Sequence, residues 1–508
     1  MRKLVKAVAI ITIFAVLTRA LGFILRIYMS RKLGAEILGI YQVAITVFGV
    51  LLTIISSGLP VIVSRTVASA YSTKNFAKQN SVVSSALFIS VLISCIISLV
   101  IFAFPASVDF IFTSKKSTKI LLWLLPGVVA SSFYATFRGA LWGQKRFFWI
   151  SCSEFAEQLI RIVFIAILFE AFSSVAPLGE LAAISLSAAC IISAIMVTIL
   201  YFCYGGKLTN PLKSFSPVLK TSSPITTIRT ASSLGTFLIA IIIPLRLVAC
   251  GMTQEKAMSL FGIASGMALP LIMIPSTLVG AIATAVIPDI SENYVDKNSL
   301  SVKQNFSVIK SRMNSSLGIS LVVSFLCVPV FFVLGPQLGV FLFNSKEAGI
   351  YVSRAAVLMV PICLSQISSS FLNAVGMEFR SLLYYAAGSV LLFLSIYFLP
   401  PLMGINSLIV GMGALFSTTT LLNISYLGKK GLLSRKHLGT FALLSVYCAP
   451  TALVAKYSYR LLNSFCPFAL ALVVSCALSA AAYIALCILF HQLDFQIFFA
   501  RRRAKKQV

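Results

Sequence analysis

Apolar runs of about twenty residues recur fourteen times along the chain, separated by short polar connections. They fall near 4–29, 37–64, 81–104, 118–138, 153–172, 181–204, 227–250, 260–287, 314–335, 350–372, 382–399, 405–427, 439–459 and 466–490. A helix needs about 20 apolar residues to cross a bilayer. Lipid admits only helices or closed barrels, because every backbone group must be paired. The runs are continuous, not alternating ten-residue segments, so the pattern predicts an all-α polytopic membrane protein of about 14 transmembrane helices. The two longest connections, 205–226 and 288–313, are polar and basic, and no soluble domain fits between spans.

Composition sharpens this picture. The 508 residues are 59% hydrophobic and 11% charged, with a mean hydropathy of +0.99. Met1-Arg-Lys followed by an apolar run has the outline of a signal peptide. Arg19 and Arg26 interrupt that run and no convincing small-x-small cleavage site follows, so a retained first helix is expected. The 11 cysteines contain no CxxC pair, and the 2 histidines, His437 and His491, lie near predicted helix ends. Neither a disulfide framework nor a metal site is indicated, and no cofactor is expected.

The net charge of +28 reads mostly as topology. With the N-terminus cytoplasmic, the termini and loops on that side carry roughly three times as many Lys and Arg as the opposite loops, as the positive-inside rule requires. Both termini are then cytoplasmic, and the tail Arg501-Arg-Arg-Ala-Lys-Lys506 can touch anionic headgroups of membrane lipids. No nucleic-acid partner is needed to explain the charge. An internal repeat supports the same layout: Arg26 precedes Ile40-Tyr41, and at an offset of 220 residues Arg246 precedes Leu260-Phe261. Six spans separate the copies, so both insert the same way round. Parallel six-helix repeats with a site between them are a transporter plan.

The chemistry follows from charges placed inside spans. A charge at mid-membrane costs at least ~3 kcal/mol, so such residues usually face a cavity and mark function. Arg19 is too deep to snorkel easily, whereas Arg26 and Arg246 lie within about a turn of their outer span ends and Arg354 one turn inside its own, where stems can reach water. Span centres hold almost no Asp or Glu, which ion-coupled transporters use as relays. Arginines without acids favour an anion such as phosphate, which guanidinium binds bidentately. Glu154, Glu157 and Arg161 fall on one face of the fifth span. Glu157 and Arg161, at i and i+4, have the spacing of a helical ion pair; the alternative is that this face lines the cytoplasmic mouth of a cavity. Gly262, Gly266, Pro270 and Pro275 are expected to bend the eighth span, as a hinge or a structural kink.

Four blocks carry a family resemblance. Arg19-Ala-Leu-Gly-Phe-Ile-Leu-Arg26 is followed by Leu33-Gly-Ala-Glu36, Gly39-Ile-Tyr-Gln42 and Ser57-Gly-Leu-Pro60. Further on come Arg138-Gly139 with Glu157-Gln158 and Arg161, then Phe261-Gly262 with Gly266-Met-Ala-Leu-Pro270, then Ile287-Pro-Asp-Ile-Ser-Glu292. In this order the chain resembles the stage V sporulation protein B group of the multidrug/oligosaccharidyl-lipid/polysaccharide exporter superfamily. It departs at Leu141-Trp-Gly-Gln-Lys145, where relatives usually show Tyr-Phe-Gln-Gly. The resemblance implies two six-helix lobes, 1–204 and 227–427, arranged as a V around a cationic cavity. The segment 205–226 would be a cytoplasmic linker, 439–490 would hold two extra helices with a groove for a lipid tail, and 491–508 would be a basic cytoplasmic tail. It also implies that Arg19 and Arg26, and less closely Arg246, engage a substrate pyrophosphate.

The reading is a flippase for an undecaprenyl-pyrophosphate-linked peptidoglycan or polysaccharide precursor in a bacterial plasma membrane, working by alternating access. Its substrate would be the lipid-linked sugar pyrophosphate, with Gln42, Ser57 and Gln158 on the sugars, and a cell-wall polymerase is a candidate partner. Glu157, Arg161, Gly266, Pro270 and Pro275 would serve gating or structure. The alternative is an ion-coupled antiporter of organic cations from the same superfamily. An enzyme would need an extramembrane domain and a catalytic acid or base; only Asp289 and Glu292 cluster, and capping or loop solvation explains them.

Overall fold

The computed structural model describes residues 2–295, 302–434 and 436–490, and among these every regular element is helical. The basic tail 491–508, with His491, lies outside the described residues, as do the side chains of Asp289 and Glu292. The helices are α1 (Arg2–Ser56), α2 (Leu59–Ser72), α3 (Phe76–Ala103), α4 (Ala106–Asp109), α5 (Lys115–Gly143), α6 (Phe147–Phe172), α7 (Leu178–Cys203), α8 (Phe215–Ala249) and α9 (Gln254–Phe261). After a π-helical stretch, Gly262–Ala268, come α10 (Leu269–Ile272), α11 (Ile274–Val295), α12 (Val302–Phe343), α13 (Lys346–Ala355), α14 (Met359–Ala374), α15 (Glu378–Phe398), α16 (Pro400–Met403), α17 (Ser407–Lys429), α18 (Lys436–Leu462) and α19 (Phe468–Leu489).

Each of the fourteen apolar runs is largely helical, the second crossing the break at Ser57–Gly58 between α1 and α2. By length and composition, ten helices of the described residues are able to cross a membrane, or eleven with a bent pair. The difference has physical causes. The first two runs merge into one helical stretch, Ile13–Ser72, of 60 residues. At 1.5 Å per residue that is about three times the hydrocarbon thickness, and it is broken at Gly34, whose φ of 71° no β-carbon would favour. In α6 the charges Glu154, Glu157, Arg161 and Glu170 dilute the apolar character, and the described apolar part of α8, Ser233–Ala249, is a shorter apolar helix. The eighth run is the bent pair: Gln254–Ile272 and Ile274–Thr284 meet at 44°. The glycines and prolines expected to bend it produce the π-helical stretch at Gly262–Ala268 and this break.

The chain divides into two compact units, Met1–Gly262 and Ile263–Val508. In the first, small residues let helices touch. A methyl on Gly139 would come within 2.8 Å of the Pro60 carbonyl, and one on Gly143 within 2.7 Å of the Ser64 carbonyl, so this i, i+4 glycine face seats α5 on α2. Gly39 in α1 and Gly262 at the end of α9 make a second close crossing, against Met258 and Ala35 respectively.

The basic segment 205–226 is tied to α3. The backbone N–H groups of Lys207 and Thr209 donate to Asn80 Oδ1 and Ser84 Oγ at 3.3 and 2.8 Å. Ser85 donates to the Pro211 carbonyl, and Ser81 and Ser214 share a hydrogen bond at 2.8 Å. From Phe215 onward this segment is already the first part of α8, in the same unit. In the second unit a core from α11, α12, α14, α18 and α19 centres on Met313, Leu317, Ile367, Phe371 and Tyr483. The last two helices also meet α12 through Leu334, Ala455 and Leu472.

Candidate functional site

The charged residues of the first unit converge where α1, α5 and α6 meet. The first half of α1 and α6 run parallel, and aromatic pairs set their register. Phe14 packs edge-on against Phe148 and Phe155, and Tyr28 stacks on Phe169 with ring centroids 6.0 Å apart. Lys32 and Glu170 close the far end at 3.6 Å. Between these anchors lies Gly22 against Gln158: a β-carbon there would make an ordinary van der Waals contact with Gln158 Oε1, 3.9 Å away. Gly22 is three residues after Arg19 and four before Arg26, so all three share one side of the helix.

The break at Gly34 places the arginines differently from the sequence reading. The first run ended at residue 29, with Arg26 within a turn of its end. The helix instead continues to the break, so Arg26 lies eight residues, about 12 Å, short of it. Its side chain is half-buried, within electrostatic reach of both Arg161 and Tyr41. Tyr41 follows the break by seven residues and is only 2% exposed. Its segment is fixed from several sides. Ser117 Oγ of α5 donates to the Ile40 carbonyl at 3.3 Å, Lys116 pairs with Glu36 at 3.5 Å, and Gly39 abuts α9.

Arg161 Nη2 donates to the Tyr41 hydroxyl at 3.0 Å. The ion pair expected between Glu157 and Arg161 is not formed among the described residues: the guanidinium turns from its own helix toward α1. Glu154 pairs instead with Arg138 of α5. Glu157 remains half-buried beside Ser193 of α7, near Arg161, Glu154 and Arg138 but in ion-pair contact with none of them. Because α6 begins at Phe147, Glu157 lies almost three turns inside the helix, not near its end. Several polar atoms here are buried without a hydrogen-bond partner in the protein: Gln158 Oε1, Arg161 Nε, Arg138 Nε, Tyr134 Oη and Thr18 Oγ1. Such groups are rare in folded proteins, and each calls for an explanation, a bound ion among them.

The remaining predicted residues lie apart. Arg19 is exposed, about two turns along α1 from Arg26. Gln42 is half-buried next to Tyr41, and its carbonyl accepts from Thr46 Oγ1 at 2.8 Å. Ser57 sits at the break between α1 and α2. Its hydroxyl is buried and unpartnered, and its carbonyl accepts from Arg229 Nη1 at 2.9 Å. Arg246, in the last turn of α8, has an interaction of its own. Arg354 is exposed in the last turn of α13. Gly266, Pro270 and Pro275 belong to the second unit and carry the bent eighth span. Among the described residues no group of three or more His, Cys, Asp or Glu could hold a metal ion. Sequence reasoning missed Tyr41 as a partner and Tyr134 altogether; Arg138 appeared only within a motif.

Comparison with known proteins places this geometry. A family model described as polysaccharide biosynthesis protein matches residues 4–294. The chain is 25% identical over 366 residues to stage V sporulation protein B of Bacillus subtilis, covering 69% of each chain. It is 22% identical over 368 residues to sporulation protein YkvU of the same organism, covering 69% of this chain and 78% of that one. Among solved structures, lipid II flippase MurJ in an inward closed conformation superposes with a TM-score of 0.72 at 16% identity, over 95% of this chain and 98% of that one. An inward-facing multidrug resistance MATE family transporter gives 0.65 at 13% identity, over 82% and 94%. These structures share the fold, and they are a flippase and a transporter, not enzymes. This is a multi-pass bacterial membrane protein, and with a match across more than half its length it belongs to the polysaccharide biosynthesis protein family.

Proposed function

We propose that the chain is a flippase that carries an undecaprenyl-pyrophosphate-linked peptidoglycan or polysaccharide precursor from the cytoplasmic to the outer leaflet of the plasma membrane by alternating access. The observation that carries this reading is the set of guanidinium groups on facing helices of the first unit. Arg26 and Arg161 lie within electrostatic reach of each other, Arg19 is on the same side of α1, and among the described residues no carboxylate forms an ion pair with any of them. Guanidinium is suited to phosphate because its fork donates two parallel hydrogen bonds. The names of the relatives, a lipid II flippase and a polysaccharide biosynthesis family among them, support the substrate class. Gln42, Ser57 and Gln158 would serve the sugars, Arg246 would join Arg19 and Arg26 on the pyrophosphate, and Gly266, Pro270 and Pro275 would form the hinge. Both termini would be cytoplasmic, with a cell-wall polymerase downstream.

Energetics permit the step without ion coupling: each negative charge moved outward gains ~2.3 kcal/mol per 100 mV of inside-negative potential. The test is translocation of a labelled undecaprenyl-pyrophosphate sugar in proteoliposomes, with and without imposed potential, for wild type and Arg19→Ala. Potential-stimulated flipping that is lost in the variant supports both substrate and site. A second reading, export of organic cations, draws on Glu157, a carboxylate well inside α6. Cation uptake without any lipid translocation would establish that reading instead.

A further inference from the structure

The turn between α5 and α6 is the stretch in which the chain departs from its relatives, Leu141-Trp-Gly-Gln-Lys145, and the flippase reading gives it no task. We propose that this turn binds an anionic phospholipid, with the Arg146 guanidinium on the lipid phosphate and the exposed rings of Trp142 and Trp149 against the glycerol and upper acyl chain. The site is independent of whatever the protein carries.

The backbone fixes Arg146 first. Lys145 N–H donates to the Trp142 carbonyl and Arg146 N–H to the Leu141 carbonyl, both at 3.0 Å, the two bonds of a Schellman cap on α5. Lys145 takes the left-handed conformation this cap requires, with φ 61°, and its side chain is exposed. Arg146 is therefore the last residue of that cap and also the N-cap of α6. A third helix supplies a platform. Tyr204 caps the end of α7, and the Arg146 guanidinium carbon lies over its ring, 4.2 Å from the centroid. Stacking of this kind holds the guanidinium in one plane and leaves its edge for a ligand.

That edge is unused. Arg146 is half-buried, its Nε is buried without a hydrogen-bond partner, and among the described residues its side chain forms no ion pair. Carboxylates of this unit are engaged elsewhere: Glu36 with Lys116, Glu170 with Lys32, Glu154 with Arg138, Asp109 with Thr118 and Glu180 with Trp123. The charges close to Arg146 in the chain and around Tyr204 are Lys145 and Lys207, and the Lys207 backbone is tied to Asn80. An arriving phosphate thus meets cations and no competing acid, and guanidinium binds it through its fork. The aromatic surroundings select a lipid over free phosphate. Trp142, Phe148 and Trp149 are exposed beside the turn, with Trp142 edge-on to Phe147 at 5.3 Å and Phe148 edge-on to Trp149 at 5.4 Å. Indole rings at the ends of spans sit at headgroup level, and cations between helices at that level recognise anionic headgroups.

Of the 3 tryptophans in the chain, Trp142 and Trp149 flank this turn, so their fluorescence reports lipid contact. The full chain carrying Trp123→Phe, in detergent micelles, is titrated with bromine-labelled phosphatidylglycerol or phosphatidylcholine, whose bromines quench an indole on contact. Quenching should saturate at about tenfold less phosphatidylglycerol than phosphatidylcholine, because the basic side chains act on a net charge. Arg146→Gln should raise the half-saturating phosphatidylglycerol by about tenfold, the scale of a lost charged hydrogen bond. Tyr204→Leu keeps the charge but removes the platform; it should raise it several-fold, and it decides the matter if Arg146→Gln does not fold. Lys220 is exposed on α8, and at about 0.15 M salt, with a Debye length of about 8 Å, Lys220→Gln should change it by less than about twofold. Equal quenching by the two lipids, or an unchanged titration in Arg146→Gln, overturns the site. A Lys220→Gln effect as large as that of Arg146→Gln also overturns it, because only overall charge is then being read. Inorganic phosphate that displaces the labelled phosphatidylglycerol at equal concentration overturns the lipid in favour of a soluble anion. All of these outcomes leave the flippase reading intact.

Discussion

The crossing of α1 and α9 provides a sharp test of how this site is held. Gly39 lies in the second half of α1, and a methyl group there would meet the Met258 carbonyl oxygen, with the Gly262 nitrogen only 3.0 Å away. A β-carbon has no rotamer to escape into, so the backbones themselves must separate. Overpacking of this kind costs about 1–3 kcal/mol. Alanine in place of glycine within a helix returns about 0.5–1 kcal/mol. Gly49 provides the control: it is in the same half of α1, and a methyl there meets nothing within 4 Å. Gly49→Ala should therefore be neutral or stabilising, and Gly39→Ala less stable than Gly49→Ala by about 1–3 kcal/mol. The measurement is denaturant unfolding of both variants in the same detergent. Equal stabilities would refute the close crossing. A functional readout accompanies it, because Tyr41 is two residues from Gly39. Displacing this segment should also weaken binding of the undecaprenyl-pyrophosphate sugar, a diphosphoryl lipid, in Gly39→Ala and spare it in Gly49→Ala.

Two further outcomes follow from polar contacts. The side chains of Arg138 and Glu154 are 40% and 34% exposed, so solvent and headgroups screen the pair, and a double-mutant cycle with Arg138→Gln and Glu154→Gln should give a coupling of about 0.5–1 kcal/mol; a coupling near zero would remove the pair from the stability of the bundle. His437 precedes the last-but-one span and shares a hydrogen bond with Asn314 Oδ1 at 2.7 Å. Burial holds its imidazole below its usual value, so the folded protein favours the neutral ring. The stability this contributes is complete above a pH of about 6.5, the unfolded value, and is lost as pH falls through the lower folded value. His437→Gln should flatten the fall in melting temperature between about pH 7.5 and 5, and an unchanged profile would assign the fall to other groups.

Hydrophobic periodicity made the helices legible because burial in lipid acts on every residue of a span, and each predicted run is largely helical. The placement of Arg26 was only half legible. Leu33 ends one helical half and Gly34 breaks it, but hydropathy had already faltered at Ser30-Arg31-Lys32, so the run ended early. Pairing was least legible. The i, i+4 rule favours Glu157 with Arg161, a contact worth only about 0.2–0.5 kcal/mol on an isolated helix, and a buried tyrosine 120 positions away in sequence outcompetes it. The tie between α3 and the segment 205–226 did leave a trace. Asn80, Ser81, Ser84 and Ser85 form one polar stripe at helical spacing in an otherwise apolar helix, and a stripe like that requires partners in the membrane.

The choice of a phenol as the partner of Arg161 has a consequence for any carrier that takes up an anion and later releases it. Were Arg161 neutralised by Glu157, a ligand would first have to break an ion pair inside the bundle, and removing one partner of such a pair leaves an uncompensated charge that costs about 3–5 kcal/mol. A tyrosine hydroxyl orients the guanidinium through one hydrogen bond of about 0.5–1.5 kcal/mol net and leaves its charge available. Binding is then favoured by the repulsion it relieves between Arg26 and Arg161, and release is not opposed by a carboxylate competing for the same donors. On this argument Glu157 is informative by its distance. Kept near Arg161 but outside ion-pair contact, it tempers the positive field of the two arginines without occupying them. A Glu157→Gln substitution should therefore tighten binding of the diphosphoryl lipid, whereas a direct Glu157–Arg161 pair would predict a larger gain together with a marked loss of stability.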